Sequence, residues 1–324
     1  MNGKQTAPKK VPQKKTAKKK PVEPPPPAPT EEPLGVVLNV VDAPRDYVSD
    51  RFVGFVNRVD HFFGDDRYFQ ESNDSVLQLD ITRIYGYQSE HKFVFTGRAK
   101  IHLPSTEKRL HLVIESDPDK NTSAEAARTP VAQPGPKSAP KSYAAGVRYE
   151  KAREERWHFS SDLGVQFQGL HSSPFVRSRA SYAIPLEEWR LKAAETLFWF
   201  HSIGAGETTQ LDLERTLSQT LLFRASSNAT WLHDTQNMEV RQDFSFYQTL
   251  DDRTALLYQA SAIGASQPQR HMADYVFLVL YRYRLHRDWM YFELSPQLHF
   301  PRDQEYRASK QLNLRLEMLF DEVR

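Results

Sequence analysis

The sequence predicts an all-β fold, an antiparallel up-and-down sheet of about 14 strands (roughly 12–16) closed on itself, behind one amphipathic helix and a low-complexity tail. Three observations predict it. From about residue 75 onward apolar residues recur at every second position, the period of a pleated strand. The alternating runs are long, many of about eleven residues, where globular strands average roughly five or six. The polar side of these runs carries formal charge again and again: Arg177 with Arg179, Arg241 beside Asp243, Arg282 with Arg284, Arg315 beside Glu317.

Bulk composition narrows the class. With 324 residues, no cysteine and a net charge of +2, the chain has no disulfide framework, no thiolate metal site and no cysteine nucleophile. Residues 1–35 hold eight Lys against three Glu, so the remainder carries about −3 and a general nucleic-acid partner is not expected. No run of eighteen apolar residues exists, which excludes a transmembrane helix. No apolar stretch follows Met1 either. For an exported protein the expectation is then a mature or engineered start, or a true start further upstream.

In chain order, residues 1–35 come first (KKVPQKKTAKKKPVEPPPPAPTEEP within them), with nine of the 21 prolines. Such a segment buries too little apolar surface to offset its ordering entropy, and reads as an extended spacer or tether. In residues 44–64, Val48, Phe52, Phe55/Val56, Val59 and Phe62/Phe63 recur at helical spacing. That predicts one amphipathic helix closed by Gly64, able to lie at a membrane interface, plug a pore or pack on another protein.

Residues 75–324 then supply strands near 75–86, 91–103, 108–116, 143–153, 156–168, 174–184, 189–203, 208–225, 228–235, 237–250, 254–264, 272–286, 288–300 and 309–320. In FVFTGRAKIHL, Phe93, Phe95, Ala99 and Ile101 oppose Thr96, Arg98, Lys100 and His102; in WHFSSDLGVQF, Trp157, Phe159, Leu163 and Val165 oppose His158, Ser160, Asp162 and Gln166. An even strand number brings both chain ends to one rim. Turns are expected on that rim at 104–107, 154–155, 185–188, 226–228, 251–253 and 286–288, so Trp157, Trp189, Trp231 and Trp289 would form an aromatic belt there. The opposite connections are short except 117–142, and a plain barrel without a folded plug domain is expected.

A strand of this length suits a bilayer, since a tilted strand needs about 9–11 residues to cross one. The closing stretch QLNLRLEMLFDEVR places Leu312, Leu314, Leu316, Met318 and Phe320 on one side of the last strand. It resembles the C-terminal signal by which bacterial outer-membrane β-barrel proteins are recognised and inserted, although in that superfamily the aromatic is usually the last residue and here DEVR follows it. The resemblance covers roughly residues 75–324 and names no narrower family. It implies a bacterial outer-membrane location, contact with outer-membrane lipid and handling by the barrel-assembly machinery.

A lumen lined by Arg98, Arg109, Glu115, Asp162, Arg177, Arg179, Arg241, Asp243, Arg282, Arg315 and Glu317 mixes both signs. That suits a narrow passive channel for small polar solutes, with little ion selectivity. The alternative is a non-conducting envelope anchor whose residues 1–35 engage peptidoglycan or a periplasmic protein. A third reading, an outer-membrane hydrolase, would draw on His158, Ser160 and Asp162, yet residues two apart on a strand sit about 7 Å apart, too far for a direct Ser–His hydrogen bond. No catalytic set, metal site or cofactor is expected. In DPDKN the calcium-loop pattern fails, with Thr122 and Arg128 at the Gly and Glu positions.

Overall fold

The computed structural model describes Gly3 and residues 52–64, 66–71, 74–86, 89–103, 109–119, 142–153, 156–286 and 288–321. Two helices lead the fold, α1 over residues 52–62 and α2 (Asp66–Glu71). The first seven strands are β1 (Val76–Gly86), β2 (Ser89–His102), β3 (Leu110–Ser116), β4 (Tyr143–Arg153), β5 (Trp157–Gln168), β6 (His171–Leu186) and β7 (Trp189–Phe200). The other seven are β8 (Gly204–Ser218), β9 (Leu221–Leu232), β10 (Asn237–Thr249), β11 (Thr254–Ala265), β12 (His271–Arg284), β13 (Met290–Pro301) and β14 (Ser309–Asp321).

Every strand pairs antiparallel with its sequence neighbours, and β1 pairs with β14 from Val76↔Asp321 to Gly86↔Gln311, so the sheet closes as a barrel and has no free edge. The rim carrying the start of β1 and the end of β14 is called proximal here, the other distal.

The pleat then sorts the side chains. On β5, His158, Ser160, Asp162 and Gln166 are buried, while Leu163 is 69% exposed; on β2, Phe95 is 61% exposed. The rest of the exterior follows suit, with Phe93, Ile101, Val147, Phe277 and Phe292 all exposed. An apolar girdle around a whole molecule far exceeds the few hundred Å² that soluble monomers tolerate, so its partner is hydrocarbon. Closure meets the bilayer's demand that every backbone N–H and C=O be satisfied within the protein. Among the described residues no helix is long and apolar enough to cross a membrane; strands do the crossing.

One expectation is corrected here. The turn expected at 226–228 lies inside β9, and the chain reverses at residues 219–220 instead. Ala225, Ser227 and Ala229 face outward on β9 and Ser226, Asn228 and Thr230 inward, so neither face is apolar and the stretch imitates a loop. Trp231 consequently sits at the distal rim, near the end of β9, whereas Trp157, Trp189 and Trp289 lie at the proximal rim. The described part of the expected helix is helical over residues 52–62, and residues 44–51 lie outside the described residues.

Candidate functional site

The interior of the proximal half is where the chain departs from a plain barrel. Phe55, Val56, Val59 and Phe63 form the apolar stripe of α1, and all are buried in one cluster with Leu222, Tyr247, Ala255, Leu257, Leu278 and Leu280. Those six wall residues share the inward parity of Arg224 on β9, Asp243 on β10, Gln259 on β11 and Arg282 on β12. The helix therefore lies inside the bore, on an apolar patch that four strands turn toward the lumen.

Gly64 ends α1 with φ +58°, a left-handed conformation that suits glycine. A Cβ there would come within 2.6 Å of Glu317 Oε1 on β14, so the turn is pressed against the wall. The chain then enters α2, a second helix the hydrophobic period did not announce. Arg67 is buried and reaches Glu214 on β8, with Asp212 at 3.8 Å and Asp60 of α1 at 3.9 Å. Arg224 on β9 binds Glu214 at 2.7 Å and Asp60 at 2.5 Å, so two arginines and three carboxylates tie both helices to the wall. Glu71 bonds Lys192 on β7, and Ser181 on β6 donates to it at 3.3 Å. Burial alone would raise the Glu71 carboxyl, but Lys192, Arg67 and Arg179 outweigh it and hold that carboxyl well below the usual carboxylate range.

Phe69, 1% exposed, lies among three cations: Arg98 at 4.5 Å, Lys100 at 5.8 Å and Arg148 at 5.9 Å from its centroid. Arg98 also donates to the Gly64 carbonyl at 3.3 Å and to Gln78 at 2.7 Å. At the rim, His61 and Tyr68 both hydrogen-bond Asp321 Oδ2, at 2.8 and 2.9 Å. The helices thus touch strands all around the barrel, which only a segment inside the bore can do.

The remaining lumen residues form ion-pair ladders. Arg282, fully buried, bonds Glu293 and Glu317, and Arg315 bonds the same two carboxylates at 2.7 and 2.8 Å. Asp162 is shared by Arg148 at 2.6 Å and Arg177 at 2.6 Å, and Arg177 reaches Glu115 at 2.8 Å. Arg179 donates to Thr196 and Gln210, and Arg241 to Asp243 at 2.7 Å. Ten of the residues expected to line the lumen occupy this interior. The exception, Arg109, is a correction: it stands at the proximal end of the β3–β4 ladder, its carbonyl accepting from the Glu150 N–H at 2.8 Å, and is exposed at the mouth.

His158, Ser160 and Asp162 do face one lumen, but both Asp162 oxygens are engaged by arginines and neither ring nitrogen of His158 has a hydrogen-bond partner. No proton relay joins them. Among the described residues no cluster of His and carboxylates is arranged to hold a metal.

Outside, Trp157 packs on Tyr182 at 4.5 Å and Trp289 stacks on Phe320 at 4.8 Å, both near the proximal rim. Leu312, Leu314, Leu316, Met318 and Phe320 line the outer side of β14, alternating with the buried Gln311, Asn313, Arg315, Glu317 and Leu319.

An apolar outside, an ionic inside and a closed antiparallel sheet define a transmembrane β-barrel, and the membrane that holds such barrels in bacteria is the outer one. The chain is accordingly a transmembrane β-barrel of the outer-membrane type. No protein-family model matches it, and no curated protein matches it significantly. Solved structures that resemble it include OprB of Pseudomonas putida, at 7% identity and TM-score 0.47, covering 79% of this chain and 96% of that one. The outer membrane channel DcaP of Acinetobacter baumannii gives 8% identity and TM-score 0.43, covering 76% of this chain and 96% of that one. A loop-deletion mutant of OmpT, an outer membrane protein of Vibrio cholerae, gives 8% and 0.47, covering 76% and 98%. Likenesses at these values are of architecture alone.

Proposed function

We propose that this protein is an outer-membrane channel for small polar solutes, held shut at rest by its own N-terminal helices. The observation that carries this reading is the seating of α1 and α2 inside the bore, on the apolar patch of β9–β12 and among the carboxylates and cations of the facing strands. A barrel of this strand number is wider than the eight-stranded kind that its own side chains can fill, so a separate filler stands where solute would pass. With the helices withdrawn, the bore is lined by mixed arginines and carboxylates, which favour passage of polar solutes with weak ion selectivity.

Planar-bilayer recording tests this. The full chain is expected to give rare, brief openings, and a chain lacking residues 1–71 steady conductance. A truncated chain that folds, by its heat-modifiable migration in gels, yet conducts nothing would refute the channel.

A second reading has its own support. The apolar stripe of α1 is buried as completely as a protein core, Val56 and Phe63 at 0% exposure, which suits a permanently closed barrel acting as an envelope anchor. Its residues 1–35 would then bind peptidoglycan or a periplasmic protein. Co-sedimentation with purified peptidoglycan, lost on deleting residues 1–35, would favour it.

A further inference from the structure

One cation interrupts the apolar exterior where the barrel closes. Along β1 the outward positions are Leu77, Leu79, Ile81, Arg83 and Tyr85, alternating with the buried Val76, Gln78, Thr82 and Ile84. Arg83 stands between Phe93 of β2 and Leu314 of β14, both on the lipid side. Its Cζ lies 4.3 Å from the centroid of the Phe93 ring and 5.0 Å from that of Tyr85. Among the described residues the guanidinium has no carboxylate and no hydrogen-bond acceptor. Nε is shut away, but the side chain as a whole is half-buried, so the Nη donors stay open to what surrounds the barrel.

Arg215, an outward arginine near the proximal rim, shows what Arg83 lacks. It too lies against an aromatic ring, Trp189 at 5.3 Å, and it is also paired with Glu188. Around Arg83 the chain offers no such partner. The described outward positions of β1, β2, β13 and β14 hold no carboxylate, and their one other charge is Lys310, exposed at the same distal rim.

Depth identifies what meets this cation. Tyr85, Tyr143, Trp199 and Trp231 each stand at or next to the distal end of their strand, and such rings mark the headgroup level of a bilayer. Arg83 is one outward step below Tyr85, and its head lies toward that ring. A long basic side chain just inside the boundary extends its head to the interface, because charge on the lipid face is costly at depth.

We propose that Arg83 binds the phosphate of an anionic lipid in the leaflet at the distal rim. The guanidinium fork presents two N–H donors to two phosphate oxygens, a geometry an ammonium does not offer. Phe93 and Tyr85 hold the cation in place and keep water from its faces. Below it Ile81, Phe95, Leu312 and Leu314 form an apolar bed for acyl chains. A soluble anion would leave that bed uncovered; a molecule that joins an anion to hydrocarbon covers both. Lys310 adds positive potential at the same level.

Native mass spectrometry tests this. The full chain is released from micelles holding equimolar dioleoyl phosphatidic acid and dioleoyl phosphatidylcholine. The expected result is retention of phosphatidic acid at least fivefold over phosphatidylcholine, lowered at least fivefold by Arg83→Leu and unchanged by Arg215→Leu. Heat-modifiable migration reports folding, and Arg83→Gln supplies the same comparison if the leucine variant does not fold. Equal retention of the two lipids by the unsubstituted chain overturns the proposal. So does undiminished retention of phosphatidic acid in a folded Arg83 variant, since the anion then sits elsewhere. None of these outcomes depends on whether the barrel conducts.

Discussion

Replacing Phe63 by Ala separates the docking of the helices from the integrity of the barrel. Phe63 has 0% exposure, meets Tyr247 edge-on at 5.2 Å and Phe62 at 5.6 Å, and shares its cluster with Leu222, Leu257 and Leu280. Truncating a buried Phe to Ala costs about 3–5 kcal/mol. Its wall partners belong to β9–β12, whose own hydrogen-bond ladders do not involve residue 63, so the loss falls on the docked state. At tenfold per about 1.4 kcal/mol, the ratio of undocked to docked helices rises by about two to three and a half orders of magnitude. Single-channel recording reads this directly. The open fraction of Phe63→Ala should exceed that of the unsubstituted chain at least a hundredfold, with heat-modifiable migration unchanged. A folded Phe63→Ala barrel with an unchanged open fraction would refute the idea that docking of this helix closes the bore.

Other perturbations have equally definite outcomes. Gly64→Ala places a Cβ at positive φ and within 2.6 Å of Glu317 Oε1; it should loosen docking by about 1 kcal/mol or more, seen as faster hydrogen exchange in residues 52–71 and not in the strands. Arg282→Met leaves Glu293 and Glu317 to Arg315 alone, and should lower barrel stability by about 3–5 kcal/mol in urea titrations in vesicles, while Arg307→Ala, from an exposed pair with Glu305, should cost less than about 1 kcal/mol. Because the Glu71 carboxyl is depressed in the docked state, its contribution is fully present above the ordinary carboxylate range and is lost only as pH falls through the depressed value. Docking, followed by labelling of an introduced Val59→Cys, should therefore be the same at pH 7 and pH 5, and weaken only in stronger acid. Glu71→Gln should weaken it at pH 7 and flatten that acid response.

The barrel was legible because a pleated strand between lipid and an ionic interior must alternate, as Phe93–Ile101 and Leu312–Phe320 do. Charges such as Asp162, Arg177, Arg241, Arg282 and Glu317 sit on the buried parity of their strands. The plug was harder to read. Its apolar stripe was visible, but a helical stripe does not say what it packs against. The missing signal was on the wall: in LLYQ of β11 and YVFLVLY of β12 both faces are apolar, which breaks the alternation and marks strands covered on both sides. The second helix is a single turn and a half with one fully buried apolar side chain, Phe69, and is too short to show a hydrophobic period. The misplaced reversal at 226–228 has the opposite cause, a mid-strand stretch, residues 225–230, with no apolar face.

The central claim is that the apolar side of every strand meets lipid while the ionic side encloses a bore occupied by α1 and α2. A nitroxide scan of residues 311–318 on β14, in vesicles, tests both halves at once, with oxygen reporting lipid and a water-soluble paramagnetic complex reporting aqueous access. Oxygen accessibility should peak at Leu312, Leu314, Leu316 and Met318, and Gln311, Asn313, Arg315 and Glu317 should be shielded from both reagents. Aqueous access at the leucines, or a chain that is folded and monodisperse in buffer without any amphiphile, would contradict it.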